Sequence, residues 1–118
     1  MKYLTIEEIL QTHDKLIEQF GGEKGVVDKG GLDFIIDKVQ SAKTDIYHKA
    51  AMLLYEIITT HPFVDGNKRT ASFLAFQFAD ENRKQIDKEL LVHHITSIAK
   101  QNITNIRNIE WRLKNCIR

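Results

Sequence analysis

Apolar residues recur every three or four positions along most of the chain, and six stretches hold that spacing long enough to be helices. Ile6, Ile9, Leu10, Leu16, Ile17 and Phe20 form the first stripe. Thr5-Ile6-Glu7-Glu8 opens it as a capping box, with Thr5 as the cap and Glu8 able to reach back. Gly21-Gly22 stops it, and His13 and Asp14 inside it read as a solvated face or local hydrogen-bonding groups. Asp28 caps a second helix with Leu32, Ile35, Ile36 and Val39 on one side, followed by a polar, irregular stretch from Ser41 to Asp45. Asp45 or Ile46 opens a third, with Ala50, Ala51, Leu53, Leu54, Ile57 and Ile58 facing inward.

From Lys68 to Asn82, Ala71, Phe73, Leu74, Ala75, Phe76, Phe78 and Ala79 are apolar on nearly every side, the pattern of a central, buried helix. Its aromatics therefore read as core, not as a platform for stacked bases. Asp87 caps a fifth helix with Leu90, Leu91, Ile95, Ile98 and Ala99, and a last helix from about Asn105 aligns Ile106, Ile109, Leu113 and Ile117. The expected fold is all-α: a compact single-domain bundle of about six helices over residues 1–118, with the loop before Lys68 held between two central helices.

Composition narrows the class. Of 118 residues, 42% are hydrophobic and 28% charged, which suits one soluble globular domain with its own core. The formal net charge of +1 advertises no polyanion partner, so neither direct nucleic-acid binding nor a membrane role is expected. One cysteine, Cys116, rules out an intrachain disulfide and fits the reducing cytoplasm. Met1-Lys2 leads straight into a mixed polar segment, so no signal peptide is expected, and the apolar runs are too short to span a bilayer.

The chemistry gathers in His61-Pro62-Phe63-Val64-Asp65-Gly66-Asn67-Lys68-Arg69-Thr70. Pro62 biases His61 toward extended backbone, so the third helix should end there. Gly66 supplies turn freedom, and Asn67 is expected to cap a helix from Lys68 onward. The free N–H groups of that helix end, its macrodipole, and the cations Lys68 and Arg69 make an anion site suited to phosphate. Cations there disfavour the helix itself, so they point to an anion. Asp65 is a hard oxygen ligand for Mg²⁺ beside phosphates, and His61 has the side chain best suited to taking a hydroxyl proton near neutral pH. Phe63 is expected to point into the core and anchor the loop.

This string resembles the signature of the Fic/Doc superfamily, His-x-Phe-x-Asp/Glu-Gly/Ala-Asn-Gly/Lys-Arg, and its Asn-Lys-Arg-Thr ending resembles the Doc (death-on-curing) branch. Gly-Gly-x-x-Gly-Val-x-Asp-x-Gly-x-Leu, starting at Gly21, is similar to the upstream segment of Doc-type proteins, with Lys29 where relatives often have proline. Most Fic enzymes carry glycine where Lys68 stands and a further arginine where Ser72 stands, and both departures match Doc.

The resemblance implies a toxin that uses ATP and Mg²⁺ to phosphorylate a protein hydroxyl, with elongation factor Tu as substrate and a small antitoxin as partner. It assigns His61 as general base, Asp65 as Mg²⁺ ligand, and Lys68 and Arg69 as catalytic cations. Phe63, Gly66, Asn67, Lys68 and Arg69 would form the nucleotide site. A self-restraining Ser/Thr-x-x-x-Glu-Gly/Asn string is absent, which fits control by a separate chain. In this superfamily a flap upstream of the motif aligns the target. Ser41 to Asp45 could be that flap or a simple interhelical connection.

Two other functions compete. A Fic-type nucleotidyl transferase would keep the fold and move AMP or UMP, against which Lys68 and Ser72 argue. A non-catalytic helical interaction module would be marked by a damaged motif, and this one is intact. His93 and His94 are adjacent, so in a helix they diverge by about 100° and cannot share a metal. Trp111 and Cys116 have no catalytic company. The basic residues Arg107, Arg112, Lys114 and Arg118 read as a solvated face or a docking surface for an acidic segment.

Overall fold

A computed structural model describes residues 1–118, the side chain of Ala99 excepted. Six helices follow one another: α1 (Ile6–Phe20), α2 (Lys29–Ser41), α3 (Ile46–Thr60), α4 (Asn67–Glu81), α5 (Lys88–Gln101) and α6 (Ile106–Cys116). Among the described residues there is no strand, only two isolated antiparallel bridges, Val26 with Phe63 and Ile86 with Ile117. No described helix is long and apolar enough to cross a membrane.

Five helices start where the sequence supplies an acceptor. The Thr5 hydroxyl accepts the Glu8 N–H while the Glu8 carboxylate accepts the Thr5 N–H, a complete capping box. Asp28, Asp45, Asp87 and Asn105 accept N–H groups from Gly31, His48, Leu90 and Asn108. Each such cap stabilises its helix by about 1 kcal/mol. The exception is α4, whose preceding residue is Gly66 and which no side chain caps. Asn67, expected to cap it, is instead its first residue and is used elsewhere.

The core is built on α3, which packs against α2, α4 and α6. Ala50 and Ala51 of α3 and Ala71, Ala75 and Ala79 of α4 are all 0% exposed. Small side chains at a helix seam bring the axes close, and Leu54, Ile57 and Leu74 fill the space around that seam with no exposure. The stripes expected for α2, α3 and α6 are buried in turn, through Leu32, Ile35 and Val39, then Ile57 and Ile58, then Ile109 and Leu113. In α5, Leu91 and Ile98 are buried, while Ala99, expected in the same stripe, lies outside the described residues. Reciprocal backbone hydrogen bonds between Gln85 and Arg118, of 2.9 and 2.7 Å, tie the α4–α5 link to the C-terminal end of α6.

Two expectations change. The fourth helix is not covered all round: Phe73 is 44% exposed, and Phe20, the last apolar residue of α1, is 50% exposed. Their rings lie 6.5 Å apart, so they meet each other at the edge of the α1–α4 seam instead of entering the core. The Ser41 to Asp45 stretch is shorter than its pattern suggested, since Ser41 is the last residue of α2 and Asp45 already caps α3. Buried Lys49 sits beneath it and donates to the Val39 and Gln40 carbonyls and to the Tyr3 hydroxyl, closing the C-terminal end of α2.

Leu54→Ala should lower stability by about 2–5 kcal/mol, because a fully enclosed seam has little room to collapse onto the cavity. Urea unfolding of the two proteins measures this directly.

Candidate functional site

The loop between α3 and α4 begins with a turn that the sequence rule for proline did not foresee. His61 has φ 51° and ψ 60°, in the left-handed region, not extended, and its N–H still donates to the Ile57 carbonyl at 3.1 Å. A left-handed residue is the common way to end a helix, and proline then prevents continuation. Outside glycine this conformation is strained, by about 1–3 kcal/mol. The turn leaves the His61 side chain exposed at the lip of a cleft.

Phe63 goes the other way. It is 1% exposed and lies flat on His13 of α1, with ring centroids 4.0 Å apart and planes 6° from parallel. Asn67 fixes the same residue from above: its Oδ1 accepts the Phe63 N–H and its Nδ2 donates to the Phe63 carbonyl, both at 2.9 Å. The amide is therefore a brace across the loop, which is why it cannot cap α4. Phe63 does not reach the cleft, so its expected place in the nucleotide site is corrected to an anchor beneath it. Its burial fills the core and leaves no face for a ligand.

A second segment lies along the loop. The Pro62 carbonyl accepts the Val27 N–H at 2.7 Å, and the Val64 N–H donates to the Gly25 carbonyl at 3.0 Å. This edge, between α1 and α2, carries Gly22 to Asp65. A Cβ on Gly22 would stand 2.6 Å from Asp65 Oδ2, and its φ of +112° is in any case one that side chains avoid. The Asp65 carboxylate accepts the Glu23 N–H at 3.2 Å and the Gly66 N–H at 2.9 Å, one on each oxygen. Behind it, buried His13 donates from Nε2 to the Asp65 carbonyl at 2.8 Å.

His61, Asp65, Gly66, Asn67, Lys68 and Arg69 all line one cleft of ≈ 920 Å³. Its floor is the uncapped start of α4, where N–H groups and macrodipole face outward. Lys68 reaches across to Asn102 Oδ1 at 3.3 Å, and the Arg69 guanidinium lies 4.8 Å over the Phe20 ring. Ser72 takes no part: it is 3% exposed and its hydroxyl donates to the Lys68 carbonyl at 2.9 Å.

Asp65 suits a hard cation shared with phosphate. It is an exposed carboxylate in which each oxygen keeps a lone pair beyond its one N–H contact. No group of three His, Cys, Asp or Glu side chains converges among the described residues, so a dedicated cage is not built. One carboxylate, with waters and phosphate oxygens completing the shell, is how Mg²⁺ is commonly held.

Other residues fall where they cannot join this chemistry. Burial pushes the Cys116 thiol up to about 11, which makes it a poor nucleophile. His93 is exposed and His94 buried, and burial, Arg112 and His93 together hold the His94 imidazole below its ordinary pKa. The roles of one buried residue behind the cleft and of several that line it went unread in the sequence. His13 stands four residues from both Ile9 and Ile17, on the buried stripe of α1, and that spacing was the available signal. Ile95, Thr96 and Lys100 of α5 also line the cleft, brought there by tertiary packing with no local mark.

The double hydrogen bond from Asn67 gives a test of the brace. Asn67→Ala should cost about 1–3 kcal/mol, since it strands two backbone groups of Phe63. Asn67→Asp, which keeps only the acceptor, should fall between the two in denaturant unfolding.

Comparison with known proteins agrees with this construction. A model of the "Fic/DOC family" matches residues 3–79, which takes in α1 through most of α4 and the whole loop. "Protein kinase doc" of Escherichia phage P1 is 34% identical over 91 residues, covering 73% of this chain and 72% of the phage protein. "Toxin Doc" of Mycolicibacterium smegmatis is 36% identical over 91 residues, covering 72% and 68%. The chain belongs to the Fic/DOC family, in its Doc branch.

Proposed function

We propose that this protein is a Doc-type toxin, a kinase that moves the γ-phosphoryl group of ATP onto a protein hydroxyl, with elongation factor Tu as substrate and arrest of translation as the consequence. One observation carries the reading: the uncapped N-terminus of α4, flanked by Lys68, Arg69, the Asp65 carboxylate and the His61 imidazole, opens into a single cleft. An anion site beside a base and a hard oxygen ligand is what phosphoryl transfer requires. The name of the phage relative, a protein kinase, points to the same chemistry.

His61 takes the proton from the attacking hydroxyl. The hydroxyl oxygen bonds to the γ-phosphorus, the bond from that phosphorus to the β–γ bridging oxygen breaks, and ADP leaves. Gly66, Asn67 and the first turn of α4 cradle the phosphates, while Lys68 and Arg69 offset the charge that spreads over the moving group. Asp65 would hold Mg²⁺, whose contribution when bound is to neutralise the phosphate oxygens. The side chain of Lys68 occupies the space and charge where a glycine would admit the inner phosphates, and Ser72 is turned into its own helix. Both features favour γ- over α-phosphoryl attack. Phe20 and Phe73, exposed beside Arg69, suit coverage of the cleft by a segment of a small antitoxin.

His61→Ala should lower transfer by about 10²–10⁴-fold with the fold unchanged. Induced in a bacterium, the wild type should arrest growth and the variant should be tolerated. Equal toxicity of both, or equal harmlessness at high soluble expression, would remove His61 from its role.

Purified elongation factor Tu incubated with γ-labelled or α-labelled ATP and Mg²⁺ should take label only from the γ position, and chelation by EDTA should stop it. Label from the α position would make the protein a nucleotidyl transferase. Turnover that persists in EDTA would leave Asp65 as a loop residue alone.

A further inference from the structure

The Asp65–Gly66 peptide holds one of the two orientations that a glycine permits. A peptide plane can turn over by changing ψ of the first residue and φ of the second together, and glycine tolerates both results. Gly66 sits at φ 72°, a conformation that a plane reversal would exchange for an ordinary negative φ. Glycine therefore does not choose the orientation. The choice matters because carbonyl and N–H of one peptide point in opposite directions. With the Asp65 carbonyl turned inward, the Gly66 N–H turns outward and lies 2.9 Å from Asp65 Oδ1. Reversed, the plane would present a carbonyl oxygen to the anion site.

We propose that His13 is the positioning residue that selects this orientation, and so aims Asp65 and the start of α4 at the phosphates. The inference rests on the kinase reading for its consequence, though not for its geometry. His13 is 1% exposed and its Nε2 is 2.8 Å from the Asp65 carbonyl oxygen, which can only accept, so Nε2 carries the proton. The ring cannot turn away, because it is stacked face to face on Phe63 of the same loop. Nδ1 lies 3.8 Å from the carboxylate Oδ1 of the exposed Asp14 side chain. One turn further along α1, Ile17 closes the other side: a Cβ on Gly66 would lie 3.3 Å from its Cδ1. A buried imidazole and an isoleucine one helical turn apart thus hold both ends of one peptide, which gives the turn the rigidity that a catalytic constellation needs.

Two substitutions separate the hydrogen bond from the packing. His13→Phe keeps a flat ring against Phe63 and loses the donor. His13→Gln loses the ring and places an amide N–H near the position of Nε2. With both variants checked for native circular dichroism, phosphoryl transfer should drop about 10²-fold in kcat for His13→Phe, the scale of a misplaced reacting group. His13→Gln should recover most of that loss. The Gly66 amide resonance should shift in His13→Phe and return toward its wild-type position in His13→Gln. In the wild type, long-range nitrogen–proton correlations of the imidazole should show His13 protonated on Nε2.

A His13→Phe enzyme with wild-type kcat and an unmoved Gly66 amide would overturn the proposal. So would a wild-type ring protonated only on Nδ1, a result available even if His13→Phe does not fold. A wild type inactive with every nucleotide would count against the kinase reading alone, and the Gly66 amide in the two variants would then decide the role of His13.

Discussion

Burial of Phe63 is the constraint on which the site depends. A short loop between two helices has no reason of its own to keep one shape. Driving one aromatic ring into the core, against His13, fixes the loop at its centre, and a buried ring of this size is worth several kcal/mol. Asn67 then hydrogen-bonds the backbone of the same residue from the opposite side. Between these two holds, His61 two residues before Phe63 and Asp65 two residues after it stand exposed at the cleft.

What the loop holds is locally unfavourable. His61 is left-handed without being glycine, α4 begins with no side-chain cap, and its first turn carries two cations where the macrodipole disfavours them. Each of these features costs on the order of 1 kcal/mol. The α3–α4 seam, dense with alanine and leucine, is strong enough to carry them. In the function proposed above, a bound anion would offset two of the three: the free N–H groups would gain an acceptor and the cations a partner. The strain and the charge are both located at the lining of the one cleft.

The fold was legible because helical spacing and capping residues agree throughout. Thr5, Asp28, Asp45, Asp87 and Asn105 mark five starts, and the buried stripes follow from them. Legibility failed where a residue serves a distant partner instead of its own helix. Asn67 has the chemistry of a cap, yet its amide is taken by Phe63 four residues earlier. His13 looked like a surface group because imidazole is polar, although its position on the stripe of α1 placed it inside. Phe20 and Phe73 follow the core pattern but lie at the edge of a seam, and periodicity carries no information about where a neighbouring helix stops. The wall made by Ile95, Thr96 and Lys100 is set by how α5 packs, which no local string encodes.

In the function proposed above, one loop and one helix end bind a Mg²⁺-loaded nucleotide. Titration of isotope-labelled protein with Mg²⁺ and a non-hydrolysable ATP analogue, followed by amide NMR, tests it most directly. The account predicts that the largest saturable shifts fall on Asp65, Gly66, Asn67, Lys68 and Arg69, and that Asp65→Asn weakens them. Shifts centred on the separate surface hollow formed by Ile103, Thr104, Asn105, Arg107 and Asn108, with residues 65–69 unmoved, would contradict it.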